Sequence, residues 1–143
     1  MYNHYKEATR LRAFSRAPLE RMDRKMKISE IVKLLDAQVL CGEDQLEGEV
    51  KSACGCDMMS DVLAFVKEQA VLLTGLCNPQ VVRTAQMMDM RCIVFVRGKR
   101  PPAEVVELAR KAEIVLLATE ERLYVACGIL YTNGLSGGSV LHG

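Results

Sequence analysis

Histidine is almost missing from this chain. His4 and His142, one near each end, are the only two, so a Ser-His-Asp or Cys-His catalytic arrangement has no member in the central hundred residues. There is no Cys-x-x-Cys and no His-Glu-x-x-His, the spacings that ordinary zinc sites use. A Gly-x-x-x-x-Gly-Lys-Ser/Thr phosphate loop is also absent. No apolar run approaches 18 residues, which excludes a membrane-spanning helix. The basic leader has no apolar core of secretory type and no small-residue cleavage site. These absences weigh against an enzyme, a metal centre, a bound cofactor and a membrane protein.

The chain has 143 residues, half of them hydrophobic, enough for one domain with a real core. Its net charge of +1 is unevenly spread, with +4 over residues 1–25 and −3 over the remainder. A body carrying −3 has no general reason to bind nucleic acid. Residues 1–25 read as a basic, flexible extension, residues 26–135 as the folded domain, and the Gly/Ser-rich 136–143 as a loose tail. Six cysteines without a secretory signal point to the cytoplasm, with thiols buried as small hydrophobes.

Three apolar runs, Val71 to Leu73, Cys92 to Val96 and Ile114 to Ala118, begin 21 and 22 residues apart. That is the length of one strand, one turn and one helix, so three successive βα units are predicted. Asn78-Pro79, Pro101-Pro102 and Thr119-Glu120-Glu121 supply their helix starts, giving helices near 79–89, 102–112 and 120–132. The last ends at Asn133-Gly134, a left-handed stop. Ahead of them, Ser29 is expected to cap a short helix through Leu35. Ala37 to Cys41 and Glu49 to Cys54 read as two strands joined by a hairpin-like turn, and Asp57 as the cap of a second helix. The expected fold is therefore α/β. A mostly parallel sheet of three βα units carries helices on both faces, preceded by a helix and a short strand pair.

In such folds ligands bind at the carboxyl ends of the strands. The loops Thr74-Gly-Leu-Cys-Asn-Pro79 and Arg97-Gly-Lys-Arg-Pro-Pro102 each follow a strand and open a helix, where N–H groups meet anions. The candidate ligand-binding residues are Asp57, Ser60 and Asp61 at one helix start, Thr74, Gly75 and Asn78 at the next, and Arg97, Gly98 and Lys99. Asp57 and Asp61 would accept ribose or amine hydrogen bonds, while the later loops would donate to an anion. Cys77, before a helix start, is a possible reactive thiol, and Cys54-x-Cys56 a possible pair of metal ligands. Core packing remains the alternative for these cysteines. The paired methionines, Met58-Met59 and Met87-Met88, fill core gaps or line a partner surface.

From about Met26 to Leu135 the chain resembles the DRTGG domain family. The likeness lies in Cys-Asp-Met-Met-Ser-Asp-Val-Leu-Ala (56–64), Leu-Leu-Thr-Gly (72–75), the helix Pro79 to Met88, Ile-Val-Phe-Val-Arg-Gly-Lys-Arg-Pro (93–101) and Ile114 to Thr119. It is similar to small stand-alone bacterial members, akin to the amino-terminal domain of HPr kinase/phosphorylase. The resemblance implies a non-catalytic regulatory α/β domain that often self-associates. Related domains occur beside catalytic domains in phosphotransacetylases and nucleotide-regulated pyrophosphatases. The Asp-Arg-Thr-Gly-Gly signature itself is absent, with Thr74-Gly-Leu-Cys-Asn-Pro79 at its place after a strand. The expected function is a homodimeric module binding a nucleotide or a phosphorylated or carboxylate metabolite. Two alternatives stand beside it: an interaction or oligomerisation domain with no small ligand, serving a partner enzyme, and a cysteine-based redox or metal-binding protein.

Overall fold

In the computed structural model, residues 24–65 and 69–138 are described. Most of the basic leader, both histidines and residues 139–143 of the tail lie outside them. The described residues form seven strands and five helices. Strand β1 (Met26–Lys27) leads into α1 (Ile28–Leu34), then β2 (Gln38–Cys41), a single 3-10 turn (Glu43–Gln45), β3 (Glu49–Val50), β4 (Ser52–Gly55) and α2 (Met59–Phe65). The three repeated units follow as β5 (Ala70–Thr74) with α3 (Pro79–Met87), β6 (Cys92–Phe95) with α4 (Ala103–Lys111), and β7 (Val115–Ala118) with α5 (Leu123–Thr132).

The main sheet has the order β2-β7-β6-β5-β4, parallel from β4 through β7, with β2 antiparallel at the β7 edge. Each βα unit steps one place in the same direction. Right-handed crossovers then put the linking helices α2, α3 and α4 on one face. The packing agrees. Leu72, Ile93, Phe95 and Leu116 point to the side where Val62, Val81 and Val105 of those helices are buried. Val71, Leu73, Val94 and Leu117 point to the other side, against Ile31 of α1 and Ala126 and Leu130 of α5. Because both faces are covered, β5, β6 and β7 are buried along their whole length and read as continuous apolar runs.

The two early strands do not form the expected hairpin. They lie at opposite edges of the sheet, β2 beside β7 and β4 beside β5. The segment 49–54 splits at the exposed Lys51, and its first part, β3, pairs antiparallel with β1. This β1–β3 ribbon is the short strand pair at the amino-terminal side of the domain. A two-strand hairpin is marginal alone in water, whereas adding to an apolar sheet buries side chains and satisfies the backbone.

Helix starts also differ. Ser29 lies inside α1, whose N-cap is Lys27 in extended conformation without a side-chain cap. Helix α5 begins at Leu123 and not at 120. The Thr119 hydroxyl donates to Leu35 O at 2.7 Å and accepts the Glu121 N–H at 3.2 Å, holding 119–121 in a turn. The stop at Asn133-Gly134 is as expected: Gly134 has φ 105° and Leu135 N donates back to Leu130 O at 3.1 Å. The same six-to-one closure ends α1, α3 and α4, at Asp36, Asp89 and Glu113, three non-glycine residues with φ of 47°, 54° and 58°.

The loop cluster at the carboxyl edge of the sheet

Parallel strands end on the same side, so the turns after β4, β5, β6 and β7 gather at one edge. Thr74, the last residue of β5, is fully buried, and its hydroxyl donates to Asp57 Oδ1 at 2.9 Å. The same oxygen accepts the Gly75 N–H at 2.7 Å, and Thr74 Oγ1 accepts the Leu76 N–H at 3.1 Å. Asp57 therefore ties the β4–α2 turn to the β5–α3 turn. Helix α2 begins at Met59, so the cap position falls on Met58 and not on Asp57 as the sequence had led one to expect.

After β6 the chain makes a tight turn from Val96 to Lys99, closed by Lys99 N donating to Val96 O at 3.1 Å. Both central residues have positive φ, 58° at Arg97 and 65° at Gly98. This is the left-handed pairing of a type I′ turn, natural for glycine and strained for arginine. Two bonds hold the turn to the next loop, from Arg97 N to Glu121 O at 2.8 Å and from Gly98 N to Thr119 O at 2.9 Å. The turn aims the Arg97 guanidinium back over Gly75, where any Cβ would overlap it. Glu120 in turn lays its carboxylate over Gly98, with Oε2 2.5 Å from where a Cβ would stand. A Cβ at either glycine would have to displace the tip of a charged side chain from a neighbouring loop, and Gly98 also holds a left-handed φ of 65°.

Cys77 sits among these charges. Burial pushes its thiol above the ordinary value, the nearby Lys99 and Arg97 pull it down, and Asp57 pushes it up. Burial is the largest of these effects, so the thiol lies above its ordinary value. Cys54 is pushed up to about 11, by burial first and then by Cys56 and Cys127. Asn78, at the N-cap of α3, makes no side-chain cap bond, and its buried Oδ1 has no hydrogen-bond partner among the described residues. Buried side-chain oxygens are almost always satisfied, by protein, water or ligand. Among the described residues no three His, Cys, Asp or Glu side chains stand close enough together to hold a metal ion.

Of the residues singled out from sequence, Asp57, Thr74, Gly75, Asn78, Arg97, Gly98 and Lys99 come to this edge. Ser60 and Asp61 lie exposed in the first turn of α2, with Asp61 close enough to Cys54 to raise its thiol pKa. Glu120 and Glu121 belong to the cluster and were read only as a helix start. Their signal was their position directly after the third apolar run, at the same edge as the two basic and polar loops. With them the edge carries both signs of charge: Arg97, Lys99 and Arg100 against Asp57, Glu120 and Glu121.

A doubly covered, mostly parallel sheet with a polar loop cluster at its carboxyl edge defines an α/β domain. The chain belongs to the DRTGG domain family, whose profile matches residues 30–132. No curated protein matches it. Among solved structures it is similar to the CBS and DRTGG domains of the regulatory region of Clostridium perfringens pyrophosphatase, complexed with the activator diadenosine tetraphosphate. The TM-score is 0.62 at 18% identity, over 82% of this chain and 49% of that one. The chain thus spans about half the length of that regulatory region, and the likeness is one of fold. No helix among the described residues is long and apolar enough to cross a membrane.

Proposed function

We propose that this DRTGG domain is a non-catalytic, homodimeric regulatory module that binds a small anionic metabolite or nucleotide at the carboxyl edge of its sheet. The observation that carries the reading is the convergence at Gly75. There the Arg97 guanidinium stands over the residue whose N–H Asp57 accepts, three positions before Asn78, whose buried Oδ1 has no hydrogen-bond partner among the described residues. Guanidinium and N–H groups at a helix start suit phosphate or carboxylate, whereas the Asn78 oxygen, an acceptor, suits a hydroxyl or amine. The exposed Asp57 and Glu120 carboxylates suit the hydroxyl or amine groups of a nucleoside. Ser60 and Asp61, one helix turn away on α2, would contact the outer part of a larger ligand. The likeness to a regulatory region solved with diadenosine tetraphosphate makes dinucleotide polyphosphates the first compounds to try.

The test is a thermal shift screen of the full chain against mononucleotides, dinucleotide polyphosphates and phosphorylated or carboxylate metabolites. A ligand that binds only the native state stabilises it by about 2.7 kcal/mol at a hundred times its Kd. A compound that raises Tm in wild type and not in Arg97→Ala supports the site. A panel with no shift in wild type overturns the small-ligand reading and leaves an interaction module, a reading favoured by the exposed apolar face of α5.

A further inference from the structure

Helix α5 is apolar on every side. From Leu123 to Thr132 it carries no charged residue, yet only Ala126 and Leu130 are buried. Tyr124 is 89% exposed and Tyr131 53%. A helix with apolar residues all round is ordinarily one that is covered all round.

Gly128, at the middle of the exposed side, sharpens this. A Cβ built there meets nothing within 4 Å. Gly55 and Gly75 are different, because Cys127 and Arg97 fill the space a side chain would need. Nothing in the fold itself calls for glycine at 128, where it costs about 0.5–1 kcal/mol against alanine in a helix interior. Close approach by a second backbone is the use that an open helical glycine fits.

Beside Gly128 runs an open groove of about 470 Å³ between α5 and the outer strand β4, lined by residues including Ala53, Gly55, Tyr124, Gly128, Tyr131 and Gly137. None of its lining side chains is charged. The same patch therefore holds a protruding aromatic, Tyr124, and a hollow large enough to receive one.

We infer that this face is the contact between two copies of the chain, with α5 crossing its counterpart at Gly128 on a two-fold axis. The inference rests on the dimeric reading above and assigns its surface. A two-fold interface needs knob and hollow on one self-complementary patch, which this face has. A copy brings no like charge onto an uncharged surface, while an acidic or basic peptide would find nothing there to pair with. Tyrosines flanking a small central residue also match the composition of interface cores.

Sedimentation equilibrium of the full chain tests the placement. Wild type is expected to be a dimer. Gly128→Arg, at a position with open space around it, should keep native circular dichroism and weaken dimerisation on the order of 100-fold or more, because two arginines meet at the axis. Met87→Arg, on the opposite face of the sheet, should dimerise as wild type does. A benzophenone side chain at position 124 should give, on illumination, an adduct of twice the chain mass. If wild type dimerises and Gly128→Arg dimerises equally, the placement is wrong and the dimeric reading stands. If wild type is monomeric at every concentration, both fail. A benzophenone adduct formed within one chain, for instance to residues 1–23, shows that the chain covers its own helix and overturns the placement.

Discussion

Thr74 donates its hydroxyl to Asp57 Oδ1 at 2.9 Å, across 17 positions of sequence, from the end of β5 to the turn that follows the adjacent parallel strand β4. Because that oxygen also accepts the Gly75 N–H, one carboxylate fixes the backbone of the loop on which the proposed ligand would rest.

Asp57→Ala should therefore cost about 1.5–2 kcal/mol, the lower part of the range for hydrogen bonds to charged groups, since Asp57 is solvent-exposed. Urea unfolding would measure it. Asp57→Asn keeps a neutral acceptor and should lose less than half as much. Equal losses for the two variants would mean that the carboxylate, and not its acceptor role, carries the effect.

Gly98→Ala combines a left-handed backbone with overlap of the Glu120 carboxylate. It should destabilise by about 1–2 kcal/mol, the cost of a non-glycine residue in that conformation, plus the displacement of Glu120. In Glu120→Ala the overlap disappears and only the backbone cost stays. A double-mutant cycle should then return a coupling of about 0.5–1 kcal/mol, and additivity would show that the two residues do not meet.

Glu113 closes α4 at φ 58°, with Ile114 N donating to Ala109 O at 2.9 Å. Glycine occupies this conformation without strain, so Glu113→Gly should stabilise the exposed helix end by about 0.5–1 kcal/mol. A rise in Tm of roughly 2–8 °C would accompany it in a domain of this size. A fall in Tm would mean that the Glu113 side chain contributes more than the strain it imposes.

Cys54 has its thiol pushed up to about 11 by burial and by the neighbouring Cys56 and Cys127. The folded pKa lies above the unfolded value near 9, so burial of the neutral thiol stabilises fully below pH 9 and is lost as pH rises towards 11. The difference in thiolate absorbance near 240 nm between wild type and Cys54→Ala should show a midpoint near 11 in the folded protein. Alkylation of Cys54 at neutral pH should be correspondingly slow. A midpoint below 9 would restore the redox reading.

The three βα units, their helix stops and the burial of their strands are legible in sequence because each rests on short-range patterns. Apolar runs, Asn-Pro and Pro-Pro starts and the Asn133-Gly134 stop all act within a few residues. The candidate loops were legible for the same reason, since a turn after a buried strand must lie at its carboxyl end. Glu120 and Glu121 were missed because they meet Gly98 and Arg97, the first through its carboxylate and the second through its backbone carbonyl, more than twenty positions back in sequence.

Only the tertiary structure decided which strands are neighbours and what the polar groups bind. Ala37 to Cys41 and Glu49 to Cys54 have strand-like sequences, yet nothing in either names its partner. Burial against β7 and β5 settled that, at opposite edges of the sheet. Asp57 lies next to a helix start and reads as a cap, but the parallel register places Thr74 and Gly75 within its reach. Local patterns act through backbone geometry over a turn or two. Pairing and hydrogen bonding across strands depend on which distant segments the core brings together, and that follows from packing the whole chain.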